Sequence, residues 1–313
     1  MSMKTITSIL ILTFATGVCL HAQPEITGAK WNVILKISDE NGRPIAGAQV
    51  SIGYHAERRP GQSEAEYREN PAELEGQTGI DGVFTASHAD TSRTIRIDVK
   101  KANYYPIAIT HQMYMPGQFD EQTVNASRNP KINMVLKPIM KPTAMYAKRI
   151  TNLRIPAFNK AIAYDLMVGD WVAPYGKGLS ADLFFSDTHT NAQSGYILGI
   201  IFPNPHDGIQ EFAIPDAEQG SRLRSGYEAP IDGYQPQYEQ TRLPDPNRGY
   251  YFRVRTKTDN RGNIVSAYYG KIYGDIPQFA YYLSPTPNDR NVEFDPGHNL
   301  LKNQTPLERV SGP

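Results

Sequence analysis

The chain has 313 residues, with 32 Lys plus Arg balanced by 32 Asp plus Glu and 40% apolar side chains. It is long enough for two globular cores, and its zero net charge argues against nucleic acid or an anionic membrane as general partner, since both call for a basic excess. With 24 prolines, 25 glycines and 19 tyrosines, the composition favours strands and turns, so an all-β fold is expected.

Residues 1–22 read as a secretory signal peptide, with Lys4 as the positive start, 6–19 as the apolar run and Ala22 before the cleavage point. The run is short for a membrane span, so no transmembrane segment is expected after cleavage. Cys19 could carry a lipid anchor, but Thr16, Gly17 and Val18 fit the usual Leu-x-small-Cys box poorly. It is also the only cysteine. An exported protein cleaved after Ala22, whether periplasmic, cell-surface or extracellular, then has no disulfide, no catalytic thiol and no cysteine-ligated zinc.

Trp31, Val33, Leu35 and Ile37 alternate as in a half-buried strand. Asn41-Gly42 signals a hairpin into a second strand over 45–52. The polar stretch 56–76 reads as a loop with a helical turn near 63–67. Asp81-Gly82 marks another tight turn, and 94–99 and 132–136 complete the unit as strands. The runs "SDENGRPIAGAQVSI", "TGIDGVFTAS" and "IRIDVKKANYYPIAI" resemble the carboxypeptidase-regulatory-like, transthyretin-like family of Ig-like sandwiches over 28–138. Asn103-Tyr104 replaces that family's Gly-Tyr-like pair. The resemblance implies an accessory β-sandwich without catalytic residues, hence a fold and not an activity.

Pro138 and Pro142 mark 139–150 as a stiff linker. Beyond it, 151–313 reads as a second, larger β-rich, sandwich-like domain, with strands over 163–168, 183–185, 196–202, 249–256 and 267–273. A hairpin loop is expected over 259–263 and a long polar loop over 212–246; no amphipathic helix of useful length is evident. Through "GDWVAPYGKG", "YYFRVRT" and "PTPNDRNVEFDP" this half resembles uncharacterised exported proteins of environmental bacteria, which implies no activity.

Three constellations could carry chemistry. The first is "VGDWVAPYGKGLSAD" over 168–182. It is no P-loop, because Gly169 and Gly176 stand too far apart and Gly178 follows Lys177 where a hydroxyl is required. It reads as a Pro-Gly turn with Trp171 as core anchor. Asp165, Asp170, Asp182 and Asp187 flank it, and Asp170 with Asp182 are the catalytic candidates if the chain is a hydrolase, since carboxylates ~5–9 Å apart can work as acid and base. Acidic residues at turns more often cap backbone N–H groups. The histidines are scattered without metal-ligand spacing, and no Gly-x-Ser-x-Gly occurs.

The second set, Asp289, Asn291, Glu293 and Asp295, either wraps Ca²⁺ or forms one polar strand face with Val292 and Phe294 buried. The strand face is preferred, and no cofactor is expected. In the third, Tyr251, Arg253 and Arg255 share one strand face that Tyr269 and Lys271 of the next strand can join. Tyrosines beside guanidiniums suit sugar rings or an acidic polysaccharide, against the plain reading of a solvated face. Together these readings describe an exported, non-catalytic binding or scaffolding protein of the cell envelope, with polysaccharide or other envelope proteins as partners. The alternative is a secreted glycoside- or ester-directed hydrolase using carboxylates of the C-terminal domain.

Overall fold

Strand β1 (Ala29–Ser38) buries Trp31, Val33, Leu35 and Ile37 completely, as their alternation requires. The computed structural model describes residues 29–54, 72–90, 92–191, 195–214, 220–240 and 243–313, so the signal-peptide reading of 1–22 and the helical turn near 63–67 lie outside the described residues. After β1 come β2 (Gln49–Tyr54), β3 (Ala72–Gln77), β4 (Val83–Asp90), β5 (Thr94–Lys100), β6 (Ile107–Gln112), helix α1 (Glu121–Arg128) and β7 (Lys131–Val135). They form a three-stranded sheet, β4-β1-β7, facing a four-stranded sheet, β3-β2-β5-β6. Val50, Ile52, Ile95, Ile97, Val99 and Ile107 close the core against β1. The short helix is started by Asp120, whose carboxylate accepts from Thr123 N.

Two local expectations change here. The Asn41-Gly42 turn forms, with Asp39 accepting from Asn41 N and Arg43 N. It closes a short antiparallel bridge from Ser38 to Pro44, but the long strands on either side do not pair with each other, because β1 pairs with β4 and β7 while β2 joins the other sheet. The polar stretch expected as a loop ends in β3, where Leu74 turns inward between the outward Glu73 and Glu75.

The second module contains β8 (Thr143–Ile150), β9 (Ala161–Asp165), β10 (Asp170–Trp171), β11 (Leu183–Asn191), β12 (Gly195–Ile201), β13 (Gly208–Ala213), β14 (Gln237–Glu239), β15 (Arg248–Thr258), β16 (Ile264–Asp275), β17 (Gln278–Leu283) and β18 (Phe294–Asn299). A five-stranded sheet, β10-β9-β11-β12-β14, packs on a six-stranded one, β13-β15-β16-β17-β8-β18. Tyr164, Phe185, Phe252 and Tyr281 fill the space between them. The all-β expectation therefore holds, as two β-sandwiches with the larger one C-terminal. Because β8 pairs with β17, most of the expected linker 139–150 is sheet, and only the stretch before Thr143 connects the modules.

The six-stranded sheet is covered on both faces. Its outer face carries a second apolar layer, with Met145, Tyr273, Tyr282 and Phe294 in one group and Ala229, Tyr251, Tyr269 and Val292 in another. Residues 220–236, before β14, thus lie over the sheet rather than forming a free loop.

The connector between the modules is embedded as well. Glu293, 1% exposed, accepts from Tyr105 Oη at 2.7 Å, from Met140 N at 2.8 Å and from Lys141 N. Lys137 Nζ donates to Ser225 O and pairs with Glu40, and Tyr227 Oη donates to Pro138 O. No helix among the described residues is long and apolar enough to cross a membrane.

Candidate functional site

The loop after β9 is built by carboxylates. Asp165 Oδ1 accepts from Met167 N and Val168 N, and its Oδ2 from Leu179 N and Ser180 N, so one side chain ties both arms of the loop. Asp170 accepts from Trp171 N and Lys177 N, and Asp182 from Leu166 N. The Gly-Lys-Gly sequence follows from this crowding. A Cβ at Gly176 would stand 2.4 Å from Trp171 O and 2.7 Å from Asp170 Oδ1, and one at Gly178 2.9 Å from Asp165 Cβ. Gly176→Ala is therefore expected to cost about 1–3 kcal/mol, the usual range for overpacking. A urea titration followed by tryptophan emission measures it, and an unchanged midpoint would refute the tight-turn account.

Arg255 completes the network from the facing sheet. A β-bulge interrupts the pairing of β15 with β16 after Val254, and Arg255 sits there with φ 55°. Asp207 holds the bulge, its two oxygens accepting from Arg255 N and Thr256 N at 2.9 Å each. The turned backbone aims the guanidinium between the sheets, where it bonds Asp182 at 2.5 and 3.0 Å and Asp165 at 3.1 Å. Burial pushes the Asp182 carboxyl above the ordinary carboxylate range, and Arg255 offsets that only in part.

The catalytic candidates thus separate. Asp182 is 1% exposed and committed to Arg255 and Leu166, while Asp170 shapes the turn. They form no paired acid and base on a cleft, because burial and backbone bonding take up the oxygens a substrate would need.

The expected basic and aromatic sheet surface is also placed differently. Its register is as anticipated, with Tyr251 opposite Lys271 and Arg253 opposite Tyr269. The face is buried, however, with Arg253 at 8% and Lys271 at 0% exposure. Arg253 donates to His206 O and Ile231 O and lies over the Tyr234 ring. Tyr251 Oη accepts from Gly226 N, and Tyr269 packs near Tyr234. Lys271 Nζ bonds the hydroxyls of Ser225 and Tyr273 at 3.2 and 3.0 Å. Burial pulls this ammonium below the ordinary lysine range. Burial alone would raise Tyr273, but Lys271 and Ser225 outweigh it and hold the phenol below its usual value. Arg255 leaves this face altogether at the bulge.

The set around 289–295 diverges too. Asp289 accepts from Asn291 N, Asn291 Nδ2 donates to Lys141 O, Glu293 faces the connector and Asp295 pairs with His298. Val292 and Phe294 are buried as expected, yet Asn291 and Glu293 are buried beside them, so no exposed polar face exists. Among the described residues no group of three or more His, Cys, Asp and Glu side chains is arranged to hold a metal ion.

An open groove lies along β8. It measures about 270 Å³ and is lined by Lys148, Arg149, Arg154, Tyr164, Asp170 and Trp171. Trp171 is half-buried there, its ring edge-on to Tyr164 at 5.2 Å. Lys148 is neutralised by Glu308 at 2.9 Å, whose carboxyl is held down at about 2, chiefly by the Lys148 bond. Arg149 and Arg154 are exposed and form no ion pair among the described residues. Sequence reading missed them because the first fell in the supposed linker. The available signal was the spacing of Arg149 and Arg154 about the end of an alternating run.

No family model matches the sequence, and no curated protein sequence matches it. Among solved structures, the chain is similar to 3-chlorocatechol 1,2-dioxygenase from Rhodococcus opacus 1CP at 10% identity and TM-score 0.27, over 37% of this chain and 62% of that one. It is similar to shaft pilin SpaA from Lactobacillus rhamnosus GG at 14% identity and TM-score 0.22, covering 58% and 90% of the two chains. A putative membrane-associated protein of unknown function from Bacteroides fragilis matches at 9% identity and TM-score 0.22, over 83% and 99%. This chain spans only 62% and 57% of the lengths of the first two dioxygenases it matches. At such scores no function transfers.

Proposed function

We propose that the chain is an exported, non-catalytic binding and scaffolding protein of the cell envelope, with polysaccharide as its ligand class. The observation that carries this reading is the groove beside Trp171, where a half-buried indole and the free guanidiniums of Arg149 and Arg154 face one space. Aromatic faces with a few fixed donors suit sugar rings, whose apolar faces stack while their hydroxyls accept hydrogen bonds. The embedded connector supports scaffolding, since it presents the groove at a set position relative to the N-terminal module. That module, by its resemblance to carboxypeptidase-regulatory-like domains, serves as the spacer.

Affinity electrophoresis through gels containing neutral or acidic polysaccharides tests the reading. Retardation by at least one polymer is expected, and Arg154→Ala should weaken it about tenfold, the loss of one charge-assisted hydrogen bond. If no polysaccharide retards the wild-type chain, the ligand class is wrong.

A further inference from the structure

We propose that a second cavity, which shares Arg149, Ile150 and Thr151 with the lining of the groove, binds an oxyanion, a carboxylate or sulfate, between the guanidiniums of Arg149 and Arg224. The cavity measures about 270 Å³ and is walled by Tyr273, Gln278 and Tyr282. Its source in the cell would be an acidic polysaccharide, so the source rests on the binding reading above, whereas the oxyanion itself rests on the cavity alone.

Three observations converge on a negatively charged ligand. The lining includes Arg149 and Arg224 but no Asp or Glu, unlike the neighbouring groove with Asp170 and Glu308. Neither arginine has an ion-pair partner among the described residues. Arg224 is held in place, its guanidinium carbon 4.7 Å from the centre of the Tyr273 ring, so little side-chain freedom is lost on binding. Behind the aromatic wall lies Lys271, whose ammonium burial pulls below the ordinary lysine range. Lys271 Nζ is 4.7 Å from the Tyr273 ring centre and 5.0 Å from that of Tyr282, and its polar partners are the hydroxyls of Ser225 and Tyr273. In a chain whose total charge is zero, Arg149 and Arg224 set local positive charge around a concave space. Two planar guanidiniums from separate segments can each offer paired donors to one oxyanion, the geometry in which arginine outperforms lysine.

Titration calorimetry of the full chain with sodium sulfate, sodium glucuronate and polygalacturonate, at ionic strength held constant with chloride, tests this. Binding of all three is expected, with at least a tenfold loss in both Arg149→Gln and Arg224→Gln. Arg149 is exposed, so its variant keeps the test valid if Arg224→Gln loosens the fold. If sulfate and glucuronate bind in an arginine-dependent way but polygalacturonate does not, the oxyanion site stands and the polysaccharide source falls. If a neutral polysaccharide binds while none of the anions does, the oxyanion site is wrong and the polysaccharide reading survives. Anion binding unchanged in both variants would overturn the assignment of the cavity.

Discussion

Arg255→Met is expected to lower folding stability by about 3–5 kcal/mol, the cost of removing one partner from a buried charge network. Asp182 and Asp165 would be left facing each other between two sheets without the cation that now bonds both. The effect should appear first at Trp171, because the same carboxylates hold the arms of its loop; its emission should shift to the red before the global transition. Arg255→Gly separates charge from backbone. Arg255 has φ 55°, a left-handed conformation that costs a side-chain-bearing residue about 1–2 kcal/mol and glycine little. The glycine variant should therefore lose less than the methionine variant by about 1 kcal/mol. The pH dependence has a defined sign. Asp182 already sits above the unfolded carboxylate value, and losing Arg255 raises it further. A group raised in the folded state stabilises as pH falls and loses that contribution as pH rises. The deficit of Arg255→Met should thus shrink between neutral pH and pH 5. A deficit that grows toward acid in urea titrations would refute the buried-carboxylate account.

The same residue shows where the sequence stops being legible. Strand β1 could be read because one of its faces is buried and its alternation survives. Strands β15 and β16 defeat that logic: both faces of their sheet are buried, so Arg253 and Lys271 look like an exposed polar stripe. Their burial is tolerable only because His206 O, Ile231 O, Ser225 and Tyr273 meet them, and those partners are distant in sequence. The bulge at Arg255 was invisible for a related reason, since a positive φ at arginine leaves no glycine to announce it. The turn over 168–182 was recognised as a turn with carboxylates capping its backbone, and that holds, but nothing local reveals that an arginine from another sheet also occupies Asp165 and Asp182. The groove itself went unseen because two prolines drew attention away from the short strand β8 behind them.

Glu293→Gln is expected to weaken the junction between the modules by about 1–3 kcal/mol while changing side-chain volume hardly at all. The carboxylate accepts only from donors: Tyr105 Oη and the N–H groups of Met140 and Lys141. An amide has one acceptor oxygen, so its NH₂ group must face at least one of these N–H or O–H donors, and a buried donor without an acceptor costs ~1–3 kcal/mol. Tyr105→Phe removes only one bond and relieves the acceptor demand, so it should cost less than Glu293→Gln. The two modules have separate cores, with Trp31 in one and Phe252 in the other, and the connector joins them chiefly through polar contacts. Weakening that joint should therefore split a single calorimetric transition into two and admit protease at 137–142, without moving the melting of either core by itself. The intact single transition would persist if the modules were held mainly elsewhere, and the clamp would then be incidental. A rigid joint also matters for binding, because the segment that carries Arg224 and Ser225 touches the N-terminal module at Tyr105, Pro106 and Lys137. Loosening Glu293 should consequently lower oxyanion affinity although Glu293 lines no part of that cavity. Arg154→Ala would leave that anion affinity unchanged, which distinguishes a loosened segment from a damaged groove.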